Sequence, residues 1–360
     1  MAQLKAGIIG CGGIANGKHM PAIKKIKDVA MTAFCDIRLE RAQEAAEKYA
    51  PEGTKPVITK DYLDLVNDKT LDVIYVLTPN RDHSYMTVAA LEAGKHVMCE
   101  KPMASNSAEA KKMVDAAKKS GKLLTIGYQN RYRDNSLYLK KCVQRGDLGD
   151  IYFAKAHALR RRGVPTWGVF LDEEAQGGGP LIDIGTHALD MTLWLMDNYK
   201  PKTVMGSVYH KLNADGDCGN CFGPWDPEKF TVEDAAFGFI TMENGATIVL
   251  ESSWALNILD AQEGASTLCG TKAGADMREG LRFNGASLGK TYTAKPDLGA
   301  GGVAYFDGER TSPELYEQHL FYNAILKGDP LTVLPEQAYV VTQILEAIYE
   351  SAKTGKPVHF

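Results

Sequence analysis

Two residues in the stretch GGGPLIDIGTHALDMTLWLM have the types and the spacing of an acid–base pair. Asp183 and His187 are four residues apart, so on a helix that begins near Pro180 both side chains lie on one face. A carboxylate one turn from an imidazole can orient the ring and raise its basicity, as a general base requires. The spacing also fits a surface ion pair, a buried histidine satisfied by its neighbour, or part of a metal site. No third and fourth ligand follow nearby, so we expect no metal.

A lysine at the end of an apolar strand is the second candidate. In HVMCEKP, residues 96–102, Lys101 follows the strand and Pro102 comes next. A lysine there can be an ordinary solvated charge. It also stands at the carboxyl end of a strand, where open α/β sheets bind ligands, and its ammonium group can stabilise charge that develops on a substrate oxygen. We expect Glu100 to brace the cofactor pocket or this turn rather than to perform chemistry.

The first strand is followed by a glycine pattern that is typical of dinucleotide binding. Gly10, Gly12 and Ala15 have the G-x-G-x-x-A spacing between a strand and a helix. The first glycine permits the tight turn, the second lets a pyrophosphate approach bare backbone, and the alanine lets helix and strand pack closely. Asp36 ends the next strand near the spacing expected of an acid on the ribose 2′-hydroxyl, and its charge would repel a 2′-phosphate. The sequence therefore predicts NAD, with NADP the less favoured cofactor.

The residues that follow Asp36 bear on the same choice. Arg38 and Arg41 are able to accommodate the 2′-phosphate of NADP, but a solvated helix start is the favoured interpretation of both. We count Arg38, together with Gly13 and Ile14 of the glycine loop, among the residues that line the cofactor.

Strands and helices alternate through the first third of the chain, as in a parallel sheet covered on both faces. After Tyr128 the strands lengthen, and Asn244-Gly245 is a strong hairpin signal. We predict an α/β protein: a Rossmann doubly wound parallel sheet in residues 1–128 and an α+β domain with a large, mainly antiparallel open sheet in residues 129–360, whose closing helices are able to pack back on the first domain. The predicted strands are 5–9, 31–35, 56–58, 73–77, 96–99, 123–126, 151–159, 203–210, 232–241, 246–254 and 266–269, and the main predicted helices are 38–49, 83–93, 108–119, 137–145, 181–196, 314–326 and 335–354.

Charge and hydropathy exclude several classes of function. The chain has 41 Lys and Arg against 45 Asp and Glu, a formal net charge of −4, so it lacks the basic footprint of a nucleic-acid-binding protein or a polybasic membrane segment. No apolar run approaches the ~18 residues that a membrane span needs, and the N-terminus lacks a signal-peptide layout. Seven scattered cysteines are typical of reduced thiols. We expect a cytoplasmic protein that binds neither nucleic acid nor membrane.

Three segments together resemble the Gfo/Idh/MocA family of oxidoreductases: GIIGCGGIA, CEKPMA and GGGPLIDIGTHALDMTLWLM. The stretch YVLTPNRDHSYMTVAALEAGKHV reinforces the match, which covers essentially the whole chain. The resemblance implies that Lys101 contacts the substrate beside the nicotinamide of NAD and that Asp183 and His187 are its acid–base pair. It also implies a cis Lys101–Pro102 bond and association into homodimers or homotetramers.

The resemblance places the strand end in TPNRDH against the ribose and nicotinamide. Thr78, Pro79, Asn80 and His83 are therefore predicted to line the cofactor crevice. His83 also begins a helix, so a capping or structural role suits it equally well.

Substrate-binding candidates lie in two further segments. Asn130 and Arg131 in GYQNRY resemble the family's link into the second domain, where they either reach substrate or serve as a hinge. In ALRRRGVPTWGVF, Trp167 can stack on the apolar face of a sugar, and Arg161 or Arg162 can bind hydroxyls or an acid. A loop packed by its aromatic residue and solvated by its arginines is the alternative.

Two other loops have less specific signals. The run Gly177–Gly179 suits a loop that moves or that lets substrate approach the helix start. Cys218 and Cys221 have C-x-x-C spacing, but zinc would require more ligands and no second cysteine pair exists. This cysteine loop is therefore expected to cover a neighbouring subunit or the mouth of the substrate site.

These residues favour an NAD-dependent dehydrogenase that oxidises a secondary hydroxyl or reduces the ketone. The resemblance supplies the substrate class, a sugar, cyclitol or glycoside. A second hypothesis is an NAD-dependent glycoside hydrolase, in which transient oxidation permits elimination of the aglycone. A third is a non-catalytic dinucleotide sensor, which the intact Lys101 and His187 disfavour. The open sheet face expected in the second domain offers a surface to another subunit.

Overall fold

The structure of the chain is a computed structural model that describes residues 3–215, 219–298 and 312–360. The chain divides into two compact units. The first contains the chain up to Gln129 together with the segment that ends at Tyr339, and the second contains the chain from Asn130 together with Val340–Phe360. No helix among the described residues is long and apolar enough to cross a membrane.

The described residues form strands β1 to β15 and α-helices α1 to α10. Two of these helices are preceded by a π-helical turn: Ala15–His19 precedes α1, and Leu181–Gly185 precedes α8. The strands are β1 Leu4–Ile9, β2 Val29–Cys35, β3 Val57–Thr59, β4 Val73–Val76, β5 His96–Cys99, β6 Leu124–Ile126, β7 Ile151–Leu159, β8 Pro201–Tyr209, β9 Ala235–Met242, β10 Thr247–Ser253, β11 Glu263–Gly270, β12 Ala273–Asp276, β13 Arg282–Ser287, β14 Lys290–Ala294 and β15 Val358–His359. The helices are α1 Met20–Ile23, α2 Leu39–Tyr49, α3 Tyr62–Asn67, α4 His83–Glu92, α5 Ser107–Ser120, α6 Asp134–Arg145, α7 Glu173–Gln176, α8 Thr186–Met196, α9 Pro313–Lys327 and α10 Pro335–Thr354.

The first unit is a six-stranded parallel sheet in the order β3-β2-β1-β4-β5-β6. Its central strands are buried on both faces, and every residue of β4 is buried, because helices cover a parallel sheet on each side. The strand order reverses between β1 and β4, so the carboxyl ends of these strands border the crevice in which such sheets bind ligands. The predicted Rossmann sheet is confirmed.

Helix α9 belongs to the first unit, although it follows the second unit's sheet in the chain. Its buried Phe321 and Tyr322 join the apolar core of the parallel sheet. The hydroxyl of Tyr75 on β4 donates to Oε1 of Gln318 at 2.6 Å and lies 2.9 Å from the Tyr322 hydroxyl. The predicted division at residue 128 lies one residue before the end of the first segment, whereas the division after Tyr339 assigns α9 to the first unit.

The second unit is a nine-stranded sheet in the order β14-β13-β12-β11-β7-β10-β9-β8-β15. All its pairings are antiparallel except that between β7 and β10. The predicted hairpin joins β9 to β10, and Gly245 has the positive φ of 88° that favours glycine in such a turn. Helix α8 packs against β7 and β11. The mainly antiparallel open sheet is confirmed, and β12 to β15 extend it beyond the predicted strands.

A buried ion pair ties the start of the second unit to α8. Both side chains of Arg131 and Asp190 are fully buried, and Arg131 donates from Nε and Nη2 to the two carboxylate oxygens at 2.9 and 2.6 Å. Burial alone would lower the pKa of the Arg131 guanidinium, but the adjacent Asp190 raises it above its usual range, so the arginine stays charged. The geometry therefore gives Arg131 a structural role within the second unit, whereas the hinge role and the substrate contact that the sequence left open stay predictions.

Replacing Arg131 by Met is expected to lower the free energy of unfolding by about 3–5 kcal/mol, because Asp190 is left buried without its partner. Urea unfolding followed by circular dichroism measures the change. Arg145→Met is the matched control, since Arg145 pairs with Asp147 at the surface, and we expect it to cost less than ~1 kcal/mol. Equal losses in the two variants would contradict this account.

Candidate active site

The glycine loop leaves its backbone bare at the end of β1. Gly10 has φ +91°, and a Cβ there would lie 2.5 Å from the carbonyl oxygen of Leu77, so only glycine fits. A Cβ at Gly12 would meet nothing closer than an Arg41 nitrogen at 3.9 Å, and one at Gly13 would meet nothing within 4 Å. This open backbone at a helix start has the form of a cradle for a pyrophosphate.

The loop contains the other two predicted positions as well. Ala15 is fully buried where the π-helical turn begins, which allows the close helix–strand packing expected of a small residue. Ile14 is 41% exposed and borders the open backbone.

Asp36 fits the ribose of a dinucleotide. It is buried just beyond the end of β2, where Oδ2 accepts from Cys11 N at 2.9 Å and Oδ1 accepts from Arg38 N at 2.8 Å. These bonds hold the carboxylate against the glycine loop while each oxygen keeps a second acceptor position. The Arg38 side chain is exposed at the start of α2, in line with the solvated helix start that the sequence favoured.

Thr78, Pro79 and Asn80 follow β4, and Thr78 adjoins the glycine loop because a Cβ at Gly10 would lie 3.1 Å from its nitrogen. The Thr78 hydroxyl oxygen is buried and has no hydrogen-bond partner among the described residues. A buried polar atom in that condition usually bonds to a ligand or to water. Pro79 and Asn80 are half-buried, and Asn80 begins a short 3₁₀ turn.

His83 has a structural role that does not require the cofactor. Its ring is fully buried, with Nδ1 2.8 Å from the carbonyl oxygen of Pro102 and Nε2 2.9 Å from that of Thr78. Burial lowers the pKa of His83, so the ring is neutral and donates to one of these carbonyls at a time. Its ring lies between the strand end at Thr78 and the turn after Lys101, which favours the structural alternative that the sequence left open, and contact with the cofactor stays a prediction.

Lys101 follows β5, is half-buried, and precedes a cis bond to Pro102, as the resemblance implied. Its backbone N–H donates to Oε2 of Glu100 at 3.0 Å. The other oxygen of Glu100 accepts from Lys18 Nζ at 2.9 Å and lies 2.7 Å from His19 Nε2. Glu100 therefore ties the helix that follows the glycine loop to the turn that carries Lys101.

The charges around Glu100 keep it ionised. Burial alone would raise the pKa of Glu100, but Lys18 and His19 lower it well below its usual range. Glu317 of α9, fully buried, lies 3.1 Å from Lys18 Nζ, and Gln318 Nε2 lies 3.2 Å from His19 Nδ1. Burial raises the pKa of Glu317 itself. No local sequence pattern indicates this cluster, because Lys18 and Glu317 are 299 residues apart.

The helical segment 181–195 of the second unit leaves two side chains accessible near its start. Of residues 181–195, all of which the structure describes, only Asp183 and His187 are not buried. Asp183 lies in the π-helical turn and His187 in the first turn of α8. π-Helical turns are often found at functional sites. The predicted acid–base pair therefore occupies the accessible part of an otherwise buried helix.

Four hydrogen bonds from three distant residues fix this part of the helix. Trp254, fully buried after β10, donates from Nε1 to Oδ2 of Asp183 at 3.0 Å. The Ser252 hydroxyl donates to the carbonyl oxygen of Pro180 at 2.8 Å. The carboxylate of Glu233 accepts from the N–H groups of Gly179 and Leu181 at 2.8 and 3.0 Å, so it serves the otherwise unpaired donors at the helix start.

The glycine run before this helix is required by packing. A Cβ at Gly178 would collide with the Tyr349 hydroxyl, and one at Gly179 would collide with the Glu233 carbonyl. Tyr349 in turn donates to Glu233 at 2.9 Å. Close contact within the second unit therefore accounts for Gly178 and Gly179, and the loop movement or substrate approach that the sequence suggested stays a prediction.

Comparison with known proteins identifies the family. A model described as an oxidoreductase family with an NAD-binding Rossmann fold matches residues 4–128, and a model of the GFO/IDH/MocA C-terminal domain matches residues 136–275. The chain is also 38% identical to the D-glucoside 3-dehydrogenase of Escherichia coli K12 over 358 residues, which are 99% of this chain and 97% of that one. The chain belongs to the Gfo/Idh/MocA family of oxidoreductases.

Two further relatives agree with this assignment. An inositol 2-dehydrogenase of Salmonella paratyphi B is 33% identical over 55% of this chain and 56% of its own length. The crystal structure of an aldose-aldose oxidoreductase from Caulobacter crescentus, complexed with glycerol, matches with a TM-score of 0.80 at 25% identity and covers 99% of this chain and 100% of that one. The predicted family, fold class and NAD cofactor are confirmed.

The remaining substrate candidates of this family member lie in different surroundings. Asn130 is buried, with its amide near Gly264, whereas Arg161 and Trp167 are exposed in the loop after β7. Contact of these three residues with substrate stays a prediction. In the cysteine loop, Cys221 is an exposed free thiol and Cys218 lies outside the described residues. Within the described ranges, no group of three or more His, Cys, Asp or Glu is placed to hold a metal ion.

Replacing Asp36 by Asn is expected to weaken NAD binding about tenfold and to shift the ratio of NADP to NAD affinity toward NADP by a similar factor. The variant keeps the size and one acceptor oxygen but loses the charge that strengthens the ribose bonds and repels a 2′-phosphate. Titration with NADH and NADPH, followed by nicotinamide fluorescence, measures both constants. Glu40→Gln, an exposed charge on α2, is the control and should leave the ratio unchanged. An unchanged ratio in the Asp36 variant would show that this carboxylate does not select the cofactor.

Proposed function

We propose that the protein is an NAD-dependent dehydrogenase that oxidises a secondary hydroxyl of a sugar, cyclitol or glycoside, and reduces the corresponding ketone in the reverse direction. The observation that carries the proposal is the accessible pair of Asp183 and His187 on a helix that is otherwise buried. The names of the relatives support the substrate class, since the full-length relative is a D-glucoside 3-dehydrogenase and another is an inositol 2-dehydrogenase. Both names describe oxidation of a ring hydroxyl.

Removal of a hydroxyl proton and of the carbon-bound hydride are the two requirements of this chemistry. His187 accepts the proton, while Asp183 orients the imidazole and stabilises the positive charge that the ring gains. Lys101 hydrogen-bonds the reacting oxygen and stabilises the negative charge that develops there. NAD, when bound, supplies the hydride acceptor. In the reverse direction His187 returns the proton to the same oxygen.

The bonds to Asp183 and Glu100 serve this division of roles. Trp254 donates a neutral N–H to Asp183, so it fixes the carboxylate without cancelling the negative charge that His187 requires. Glu100 is paired with Lys18 and His19, and it also accepts from the backbone N–H of Lys101, so it holds the turn that carries this lysine.

A panel of substrates tests the proposal. The purified protein is incubated with NAD and with glucose, myo-inositol, methyl glucosides and 4-nitrophenyl glucosides, while NADH absorbance and nitrophenol release are followed together. NADH formation that scales with the sugar or cyclitol is the expected result. Release of nitrophenol without net NADH would identify the redox glycoside hydrolase instead. If no compound of the panel yields NADH or nitrophenol, the proposed enzyme activity is rejected and the dinucleotide sensor is the hypothesis that is left.

Replacing Lys101 by Ala is expected to lower kcat by about 10²-fold or more, because one donor to a developing oxyanion is lost, while the affinity for NAD changes little. Steady-state NADH formation and a separate NADH fluorescence titration measure the two effects. Lys112→Ala, an exposed lysine on α5, is the control and should retain wild-type turnover. A Lys101 variant that turns over near the wild-type rate would remove this residue from the mechanism.

We also propose that the protein acts in the cytoplasm as a homodimer or homotetramer. Cys11, Cys35, Cys99 and Cys142 are buried free thiols, as is typical of a reducing compartment. The open sheet face supports association: Met205 and Phe239 are directly paired across β8 and β9 and are 43% and 50% exposed. Tyr209 and Phe237 extend this face of the sheet, their rings 6.1 Å apart. An exposed apolar row on neighbouring strands is a surface that a second copy can bury.

Replacing Phe239 by Asp is expected to convert the oligomer to a smaller species, because two charges would be buried opposite each other in a symmetric interface. Sedimentation velocity at about 10 µM, a concentration at which stable oligomers with Kd near 1 µM or below are largely associated, measures the change. Tyr292→Asp places the same charge on β14 at the far edge of the sheet and should not alter the mass. A monomeric wild-type protein, or a variant of unchanged mass, would refute the proposed interface.

A further inference from the structure

An aromatic pair lies exposed on two loops of the second unit. Trp167 follows β7 and Phe222 lies in the cysteine loop, and their rings meet edge to face at 4.9 Å and 87°. Trp167 is 53% exposed and Phe222 is 46% exposed. Edge-to-face geometry satisfies the two rings against each other and leaves an apolar corner in contact with water. The chemistry assigned to Asp183 and His187 makes no use of this pair.

The corner is held in place by hydrogen bonds between the two loops. Val164 N donates to Asn220 Oδ1 at 2.9 Å, and Asn220 Nδ2 donates back to the Val164 carbonyl oxygen at 2.9 Å. The Thr166 hydroxyl donates to the carbonyl oxygen of Phe222 at 2.8 Å. The rings are therefore preorganised, and a ligand that contacts them does not have to order the loops.

A chain of ring contacts connects this corner to the acid–base pair. The ring of Phe170 lies 5.8 Å from Trp167 and 6.4 Å from Trp254. Trp254 donates directly to Asp183. Trp167 thus lies no more than two ring-to-ring steps from the indole that orients Asp183, a separation that a monosaccharide and its glycosidic substituent can span.

The polar neighbour on the same loop is already engaged. Arg160 donates from Nε and Nη2 to the two oxygens of Glu263 at 2.6 and 2.7 Å. Its guanidinium is therefore occupied by a carboxylate, and the exposed ring surfaces of Trp167 and Phe222 are suited to an apolar group.

We propose that Trp167 and Phe222 form a subsite for the apolar, aromatic aglycone of a glycoside whose sugar ring is oxidised at Asp183 and His187. The inference rests on the proposed dehydrogenase function and narrows its substrate class from any sugar or cyclitol to aryl glycosides. The aglycone ring packs against the indole and the phenyl ring, while its sugar supplies the hydroxyl that reacts. A second copy of the chain on the same corner is the competing occupant.

The test compares phenyl and methyl glucosides of the same anomeric configuration, because they differ only in the aglycone. For the wild-type protein, kcat/KM from NADH formation should be about tenfold higher for the phenyl glucoside than for the methyl glucoside, mainly through a lower KM. The reason is that stacking of one aromatic ring raises binding affinity by about this factor. Trp167→Ala should bring the ratio near one, because kcat/KM for the phenyl glucoside should fall far more than kcat/KM for the methyl glucoside. Trp167→Phe should restore most of the preference because it keeps an aromatic face. Phe222→Ala should reduce the preference in the same direction.

Three results would overturn the subsite. They are an equal wild-type rate with both glucosides, a Trp167→Ala ratio equal to wild type, and an equal loss of both substrates, which would make Trp167 a contact of the sugar ring or of the scaffold. A change of oligomeric mass in Trp167→Ala, measured by sedimentation velocity, would assign the corner to a subunit interface instead. If no glucoside yields NADH, the proposed function fails, and titration of the NAD-bound protein by calorimetry still decides the subsite. Tighter binding of the phenyl glucoside by wild type but not by Trp167→Ala supports it, and equal binding rejects it.

Discussion

A helix that is packed on nearly every side cannot rotate about its axis. The few residues that it leaves accessible are therefore held in place by the side chains packed around it. The helical segment 181–195 is in this condition, since all its residues except Asp183 and His187 are buried. Asp190 on the same helix holds Arg131 with two bonds, and Glu233 holds the first N–H groups. The accessible pair is therefore positioned by the whole packing of the second unit rather than by local contacts alone.

In the first unit, the turn that carries Lys101 is held by a buried cluster of charged side chains rather than by apolar packing. Glu100 is buried between Lys18 and the backbone N–H of Lys101, and Glu317 of α9 completes the cluster around Lys18. Buried ions must be paired, since an isolated one would cost several kcal/mol. The helix after the glycine loop, the turn after β5 and a segment from near the end of the chain therefore depend on one another. A substitution of Lys18 would therefore alter the positions of both the glycine loop and the turn that carries Lys101.

Local pattern predicted the elements of this chain because each strand and helix carries its own periodicity. The helix over 181–196, the hairpin at Asn244-Gly245 and the six parallel strands were all predicted within a few residues of their observed bounds. The strands β12, β13 and β14 were missed, since AGAD is short and the last two are mostly half-buried or exposed, so they lack a strong apolar run. Spacing along one element likewise predicted that Asp183 and His187 lie on one helical segment, whereas their role as an acid–base pair stays a prediction.

The groups that hold the site could not be found in this way. Trp254 lies 71 residues from Asp183 and Glu233 lies 52 residues from Leu181, and nothing in a local window marks such pairs. For His83 the sequence offered cofactor contact and a structural role equally, and only the two carbonyl oxygens at its ring nitrogens favour the second.

The donor that holds Glu100 in the first unit is charged, whereas the donor that holds Asp183 in the second unit is neutral. This difference suits the different roles proposed for the two acids. Glu100 is required to stay in one place, and an ion pair with Lys18 both fixes it and neutralises it. In the proposed mechanism Asp183 acts on a neighbouring imidazole that gains charge, and the neutral indole N–H of Trp254 fixes the carboxylate without cancelling its negative charge. An ammonium group in the position of the Trp254 nitrogen would hold Asp183 just as firmly, but it would oppose the protonation of His187. A tryptophan after β10 therefore suits the chemistry proposed for the helix, and it places an aromatic ring where the chain of rings toward Trp167 begins.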